Sequence, residues 1–311
     1  MATICRHAAL AWLLLACVSC AGDLTEPKPV VQYDVLFVST TEGSDPYLFR
    51  VGLDEAPPAP IAGGTAGHFP VASADGGTIV FTRIDGAGNY VLMILRPSMT
   101  APVEVDGAAG VSPLQPALTA DGTRLVFSSN HEDPYGDIYV AKLSGTAITD
   151  VRRLTTGGGT DVTPRWSPDG ERIAFTSYRT SFPSVWIMSA DGLDPKQVTF
   201  GGMEFSDYFP SWSPDASQLV FQRIGSTVSR IGIVPSSGGA GTPTFFDLSG
   251  SHFSPAWSPD GAYIAIASDD DDIRILSADG TLVKRVEWLG VNRSPAWIRR
   301  ESPWLRRSLH P

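Results

Sequence analysis

Beyond residue 32, short apolar runs alternate with polar and glycine-rich turns, as in β-strands. Alternating runs that follow a turn are found at Thr78–Thr82, Arg124–Ser128, Arg172–Thr176, Gln218–Gln222 and Tyr263–Ala267. A second β-type run follows them, for example at Asp137–Ala141, Val185–Met188 and Ile273–Leu276. A period of two residues predicts strands with one buried face. No stretch beyond the N-terminal apolar run keeps a 3.6-residue period, so we expect an all-β fold with little helix.

Six copies of a proline-containing motif divide the chain into similar periods. Strong copies of Pro-x-Trp-Ser-Pro-Asp-Gly are found at Pro164–Gly170, Pro210–Ala216 and Pro255–Gly261, and weaker ones begin at Pro70, Pro116 and Pro295. The spacings between these prolines are 46, 48, 46, 45 and 40 residues. A period in the forties with four predicted strands is typical of β-propeller blades.

The two ends of this repeat region complement one another. The first period has predicted strands at Tyr33–Ser39, Tyr47–Val51 and near Ile61, but it lacks the opening Pro-x-Trp strand. The last period, Pro295–Ile298, has only that opening strand. We therefore predict a six-bladed β-propeller of four-stranded antiparallel blades over residues 33–298. A C-terminal strand that joins the N-terminal blade closes it and removes the exposed edges of an open array.

The motif resembles the repeat of TolB-type, WD-like six-bladed propellers. The shared pattern is Pro-x-Trp-Ser-Pro-Asp-Gly followed by Arg-Ile-Ala-Phe, as at 164–175. The resemblance covers the chain from about Tyr33 to Ile298. The resemblance is specific for the fold but not for one function, because the same repeat is similar to propeller domains of prolyl-oligopeptidase-type enzymes and oligosaccharide-degrading proteins. We expect a form without the α/β domain that precedes the propeller in TolB.

The first twenty residues have the pattern of a signal peptide. Their apolar core, Ala8–Ala16, is too short for a helix that spans a bilayer of about 30 Å. The residues that follow resemble the lipobox of bacterial lipoproteins, with Cys20, or alternatively Cys17, as the lipidated residue. We expect a lipoprotein signal peptide at 1–20 and an extended tether at 21–32. The protein is then held at the membrane by lipid alone, facing the periplasm or the cell surface; the alternative is a secreted protein.

The net charge and the cysteine positions exclude some kinds of partner and of site. The 311 residues include 33 acidic and 23 basic ones, and the formal net charge of −10 disfavours nucleic acid as a partner. All three cysteines precede residue 21, so the predicted propeller has neither a disulfide nor a thiolate ligand. Residues 299–311 form a basic C-terminal tail. We expect a monomer.

The residues three positions before each motif proline differ between blades and are candidates for binding. They are Gly67, Pro113, Asp161, Asp207, His252 and Asn292, with His68, Tyr208 and Arg293 beside three of them. This segment links the outer strand of one blade to the inner strand of the next, so it is expected around one mouth of the central channel. The binding site predicted there consists of His68, Asp161, Asp207, Tyr208, His252, Asn292 and Arg293. The alternative is that these residues cap turns and bind only water.

Three of these residues are also candidate metal ligands, namely Asp161, Asp207 and His252. Converging carboxylates and an imidazole can bind Ca²⁺ or another hard cation, or can hydrogen-bond a ligand. The four consecutive acids Asp269–Asp272 lack the spaced ligands and the glycine of a calcium loop. They predict a solvated loop in which like charges repel.

The tryptophans and aspartates of the motif have a structural interpretation. A large ring at one repeat position can fill the space between neighbouring blades, as predicted for Trp166, Trp212, Trp257 and Trp297. A carboxylate before Gly or Ala can accept hydrogen bonds within its own turn, as predicted for Asp75, Asp121, Asp169, Asp215 and Asp260. Because Arg299 and Arg300 replace this aspartate in the composite blade, we expect an acidic ring with a basic gap at one mouth.

Enzyme signatures are missing from the sequence. It contains no Gly-x-Ser-x-Gly elbow, no His-Glu-x-x-His and no P-loop, and residues after 298 are too few for the hydrolase domain of oligopeptidase-type propellers. We therefore expect a non-enzymatic binding platform of the cell envelope, with an envelope protein or a glycan as partner. The alternative is a propeller lyase or hydrolase that acts on an envelope or plant-type glycan through a channel-mouth metal.

Overall fold

The computed structural model describes residues 32–300, except 55, 66, 109, 158 and 239–241, and it describes 62–65 by their backbone only. The predicted signal peptide with Cys17 and Cys20, the tether before Gln32 and the tail from residue 301 onward lie outside the described residues. Within the described part, no helix is long and apolar enough to cross a membrane. The domain boundaries predicted for these terminal segments stay predictions.

The described residues form six four-stranded antiparallel sheets, which are the blades. Blade 1 consists of β24 (Val291–Arg299), β1 (Tyr33–Thr40), β2 (Tyr47–Val51) and β3 (Ala59–Thr65). Blade 2 consists of β4 (His68–Ala72), β5 (Ile79–Ile84), β6 (Tyr90–Leu95) and β7 (Val103–Glu104). Blade 3 consists of β8 (Pro113–Leu118), β9 (Arg124–Ser129), β10 (Asp137–Ser144) and β11 (Ala147–Arg153).

The second half of the chain repeats this arrangement. Blade 4 consists of β12 (Asp161–Trp166), β13 (Arg172–Ser177), β14 (Ser184–Ser189) and β15 (Lys196–Gln197). Blade 5 consists of β16 (Phe205–Trp212), β17 (Gln218–Gly225), β18 (Ser229–Pro235) and β19 (Thr244–Phe245). Blade 6 consists of β20 (His252–Trp257), β21 (Tyr263–Ser268), β22 (Ile273–Ser277) and β23 (Leu282–Val286). The prediction of a six-bladed, all-β propeller is confirmed.

The predicted closure is confirmed as well. Strand β24 pairs antiparallel with β1, from Tyr33 opposite Arg299 to Thr40 opposite Val291. Just beyond the strand, the Arg300 Nε donates to the Asp34 Oδ1 at 2.7 Å. The last described strand therefore becomes the innermost strand of the first blade.

The inner strands of neighbouring blades contact one another all the way around, so the blades form a ring. Because strands within a blade are antiparallel, every inner strand begins at the same end of the ring. We call this the linker end; it carries the connections between blades and those between the second and third strands. The opposite end carries the motif turns, and we call it the turn end.

Packing between blades is built on the motif tryptophans. The Trp212 Nε1 donates to the Arg165 carbonyl of the preceding blade at 3.1 Å, and the Trp297 Nε1 donates to the Ala256 carbonyl at 2.8 Å. Guanidinium groups add to this packing, since Arg172 lies 4.6 Å from the Trp212 ring centre. These contacts agree with the structural interpretation of the tryptophans.

The motif aspartates are held in their own turns. The Thr119 hydroxyl and the Thr123 amide donate to the Asp121 Oδ1 at 2.6 and 3.0 Å. These hydrogen bonds stabilise the carboxylate and lower the pKa of Asp121 to about 2. The same arrangement with a Ser hydroxyl lowers the pKa of Asp215 to about 2. The turn end therefore carries ionised carboxylates.

Each inner strand contains a bulge directly before the motif proline. The residue there has a positive φ in all six blades although none is glycine: Phe69 50°, Gln115 51°, Thr163 54°, Phe209 52°, Ser254 49° and Ser294 53°. In blade 4 the register shifts from Val162 opposite Thr176 to Arg165 opposite Ala174. The extra residue reverses the alternation of side chains. Asp161 and Arg165 consequently lie on opposite faces, whereas an unbroken strand would place them on the same face.

Candidate functional site

The predicted mouth residues lie at the linker end, at equivalent positions of successive blades. Asp161, Asp207, His252 and Asn292 stand at or near the start of the inner strands of blades 4, 5, 6 and 1. The side chains of all four are buried. They therefore follow one another around the ring, as expected, but with little surface open to a ligand.

Both candidate carboxylates are engaged by arginines of their own blades. The Arg223 Nε and Nη2 donate to the two Asp207 oxygens at 2.7 Å each, and the guanidinium lies 4.0 Å from the Phe205 ring centre. The Arg179 Nη2 donates to the Asp161 Oδ2 at 2.9 Å. The carboxylates are buried and the guanidinium groups partly exposed, so removal of either arginine would leave an uncompensated buried charge and lower the free energy of unfolding by up to about 3–5 kcal/mol.

The neutral members of the set hold loops together. The His252 Nε2 lies 3.0 Å from the Ser249 carbonyl, and burial, followed by the Arg274 charge, lowers the pKa of His252 below its usual range. The Asn292 Nδ2 donates to the Asp271 carbonyl at 2.6 Å and to the Trp288 carbonyl at 3.1 Å. Both contacts favour turn capping, which was the alternative interpretation from sequence.

The three flanking residues His68, Tyr208 and Arg293 remain partly exposed to solvent. Burial lowers the pKa of His68 and raises the pKa of Tyr208, whose hydroxyl lies 2.8 Å from the Tyr178 hydroxyl. The Arg293 Nη2 donates to the Asp271 Oδ1 at 2.9 Å. Ligand binding by the seven predicted residues stays a prediction.

A metal role was predicted for Asp161, Asp207 and His252. Among the residues that the structure describes, no group of three or more His, Cys, Asp or Glu side chains is arranged to hold a metal ion. The Ca²⁺ site stays a prediction. Arg223 engages both oxygens of Asp207, whereas Arg179 engages only the Oδ2 of Asp161, and the Asp161 Oδ1 has no hydrogen-bond partner among the described residues.

The acidic loop Asp269–Asp272 is not the repelling loop that was expected. Every carboxylate in it has a partner: Ser251 N donates to Asp269 at 2.8 Å, Arg274 to Asp270 at 2.6 Å and Arg293 to Asp271 at 2.9 Å, and Arg285 donates to Asp272. The expected repulsion is wrong, because these arginines come from later strands that the fold brings to the loop; the expected solvation holds for Asp269 and Asp270, which are exposed.

Exposed apolar side chains, which sequence reasoning missed, gather at the linker end. Of the thirteen exposed large hydrophobic residues in the described part of the chain, eight lie in its loops or at adjoining strand ends: Ile84, Tyr135, Tyr178, Phe200, Met203, Ile224, Leu289 and Val291. Met203 is 92% exposed and Leu289 is 76% exposed. We call these eight residues the apolar linker face. They come from loops that do not repeat, so the motif carried no signal for them.

A closed ring of six blades, each opened by the Pro-x-Trp motif, defines this protein as a six-bladed β-propeller. The family model described as PD40, TolB beta propeller domain, matches residues 104–301. The chain belongs to this family, which confirms the resemblance found in the sequence.

Known relatives agree with this assignment. The chain is 26% identical over 185 residues to a protein TolB homolog of Chlorobium luteolum, a match that covers 55% of this chain and 38% of the relative. The crystal structure of TolB from Acinetobacter baumannii superposes with a TM-score of 0.69 at 21% identity, over 86% of this chain and 66% of that one. An oligogalacturonate lyase in complex with manganese has a TM-score of 0.56 at 13% identity, over 80% and 72% of the chains. At these identities the solved structures show the fold alone.

Proposed function

We propose that this protein is a non-enzymatic binding platform of the cell envelope, and that its apolar linker face binds an envelope protein. The observation that carries the proposal is the concentration of exposed apolar side chains at one end of a rigid ring. Single exposed hydrophobic residues are normal on a protein surface, whereas a group of them on one face is typical of interaction sites. Tyr, Phe and Met, which are enriched at protein interfaces, are all present in it.

Attachment to the envelope is the second part of the proposal. The apolar core and the lipobox-like cysteines support a lipoprotein signal at 1–20, lipidation at Cys20 or Cys17, and a tether at 21–32. A lipid anchor on a short tether would hold the propeller close to the membrane, facing the periplasm or the cell surface. Its similarity to proteins named TolB is consistent with an envelope location.

The enzymatic alternative has weaker support. A glycan lyase with a channel-mouth metal would use Asp161 and Asp207, but each carboxylate is bound to an arginine of its own blade. A metal that displaced either arginine would have to replace its charge at a buried carboxylate. Similarity to the oligogalacturonate lyase is limited to the fold.

The proposal is tested by co-purification from membranes, followed by identification of bound proteins. Met203→Asp and Leu289→Asp place a charge on the apolar linker face at positions that are already solvated, so both variants should fold normally. The matched control is Leu193→Asp, since Leu193 is 61% exposed but lies at the turn end, between β14 and β15. We expect one envelope protein to be retained by the wild type and the control and lost from both linker-face variants. Equal retention by all four proteins would contradict the proposal.

A further inference from the structure

A cavity of about 480 Å³ lies in the central channel. All six inner strands line it with residues that follow the bulge, and Pro168, Pro214 and Pro259 of the motif turns form part of its wall. The cavity therefore belongs to the turn-end half of the channel. None of the seven mouth residues predicted from sequence is part of its lining.

One residue breaks the pattern of the cavity wall. The positions directly after the six motif prolines all line the cavity, and they are Val71, Ala117, Arg165, Ser211, Ala256 and Ala296. Five of these side chains are small, so they leave space along the axis. The remaining one is an arginine, and it is the single formally charged side chain among the described residues that line the cavity.

The guanidinium of Arg165 is unpaired within the described residues. Its Nη1 donates to the Pro164 carbonyl at 2.8 Å, which uses one of the five N–H groups of the side chain. Burial alone lowers the pKa of Arg165 to about 10, and no neighbouring charge contributes to this shift. Part of the side chain stays accessible, because it faces the cavity. A charge removed from bulk water without a counterion is costly, so an anion in the cavity would be stabilised there.

The rest of the wall indicates what kind of anion fits. Phe69, Phe209 and Trp257 offer apolar surface, and the Ser254 and Ser294 residues add polar groups to the wall. Cavities of about 300–1,000 Å³ hold small organic ligands. The ionised aspartates of the turn end oppose the approach of a polyanion. Hydrogen bonds from Ser73 and Gly77 lower the pKa of Asp75, and the Arg299 charge adds a smaller contribution, so a basic group interrupts the acidic turns there.

We propose that the central cavity binds a small organic monoanion with an apolar body, whose carboxylate pairs with the Arg165 guanidinium. The apolar body packs against the aromatic and proline side chains of the wall. This site lies in the other half of the ring from the apolar linker face, so it does not depend on the proposed protein partner.

The test is calorimetric titration of the purified protein with 4-phenylbutyrate and with its neutral amide, 4-phenylbutyramide. We expect the carboxylate to bind the wild type at least tenfold more tightly than the amide, because hydrogen bonds between charged groups are stronger than those between neutral groups. Arg165→Met should remove this preference, and Arg165→Lys should keep part of it. Arg230→Met is the matched control, because Arg230 is exposed on β18 and should leave binding unchanged.

Two further measurements distinguish a ligand site from a structural role. Ala296→Leu narrows the cavity beside Arg165 while keeping the guanidinium, so it should weaken binding of 4-phenylbutyrate without loss of the fold. Arg165→Met removes an unpaired charge, so its melting temperature should equal or exceed that of the wild type. Equal affinity for the acid and the amide, or undiminished binding by Arg165→Met, would overturn the proposal. So would a marked fall in the melting temperature of Arg165→Met, since Arg165 would then be a structural residue.

Discussion

The contribution of one hydrogen bond of the closing strand to the free energy of unfolding can be measured by comparing two equivalent tryptophans. Trp297 on β24 and Trp166 on β12 occupy the same motif position, and each is 8% exposed. The Trp297 Nε1 donates to the Ala256 carbonyl of blade 6 at 2.8 Å, whereas the buried Trp166 Nε1 has no acceptor among the described residues. Replacing each by Phe removes the same atoms, but only Trp297→Phe breaks a hydrogen bond.

The magnitude follows from the acceptor that is left behind. The loss of packing volume is common to both variants and cancels in the comparison, and Phe keeps an aromatic face for the different neighbours of the two rings, Arg124 at Trp166 and Tyr263 at Trp297. Leaving the half-buried Ala256 carbonyl without its donor costs part of the about 1–3 kcal/mol expected for a fully buried acceptor, while removing the unsatisfied buried donor of Trp166 relieves a penalty of the same kind. Trp297→Phe should therefore have a free energy of unfolding at least about 1 kcal/mol below that of Trp166→Phe. For a domain of this size, that corresponds to a difference of about 2–4 °C in melting temperature.

The assay is urea denaturation and thermal unfolding of both variants beside the wild type, followed by circular dichroism. Equal slopes in urea would show that the same surface is exposed on unfolding, so the midpoints can be compared directly. Equal midpoints for the two variants, or a lower midpoint for Trp166→Phe, would refute the reasoning.

Three further outcomes are expected. Deleting Ser294–Pro311 should uncover β1 and lower the melting temperature sharply, while deleting Glu301–Pro311 should change it little; equal stability of the two truncations contradicts the closure. Replacing Cys17 and Cys20 together by Ser should move the protein from the membrane to the soluble fraction, and continued membrane binding excludes lipid anchoring there. Stability should fall as pH drops below about 6.5, because the unfolded chain takes up protons that His68 and His252 resist in the folded state. His252→Gln should flatten that part of the pH profile of the melting temperature, and an unchanged profile argues against this cause.

Much of the fold could be predicted from the sequence because it is encoded locally. Apolar alternation marks the strands, and the Ser-Pro-Asp-Gly turns separate them at a constant period. The missing strand before Tyr33 and the surplus strand at Pro295 are both visible in the sequence, so the ring closure followed from counting. The acidic turns were predictable for the same reason, since Asp121 and its partners lie within a few residues of each other.

The candidate site was predicted less well, because its contacts join distant segments. The sequence placed Asp161 and Asp207 at one end of the ring, but not the arginines that occupy them. Those arginines follow the aspartates by 18 and 16 residues, and an arginine at about this distance was the available signal. Strand alternation alone could not show the burial of the carboxylates, because a bulge before each motif proline reverses the side-chain pattern.

The sequence by itself determined six blades, their strands, their turns and the strand that closes the ring, because hydrophobic alternation and turn chemistry act over a few residues. Only the tertiary structure decided which side chains meet at the axis. The residues after the motif prolines are separated by as many as 225 positions, from Val71 to Ala296, and they share a cavity only because the ring closes. Whether Arg165 faces a partner or an open space depends on the size of five side chains in five other blades.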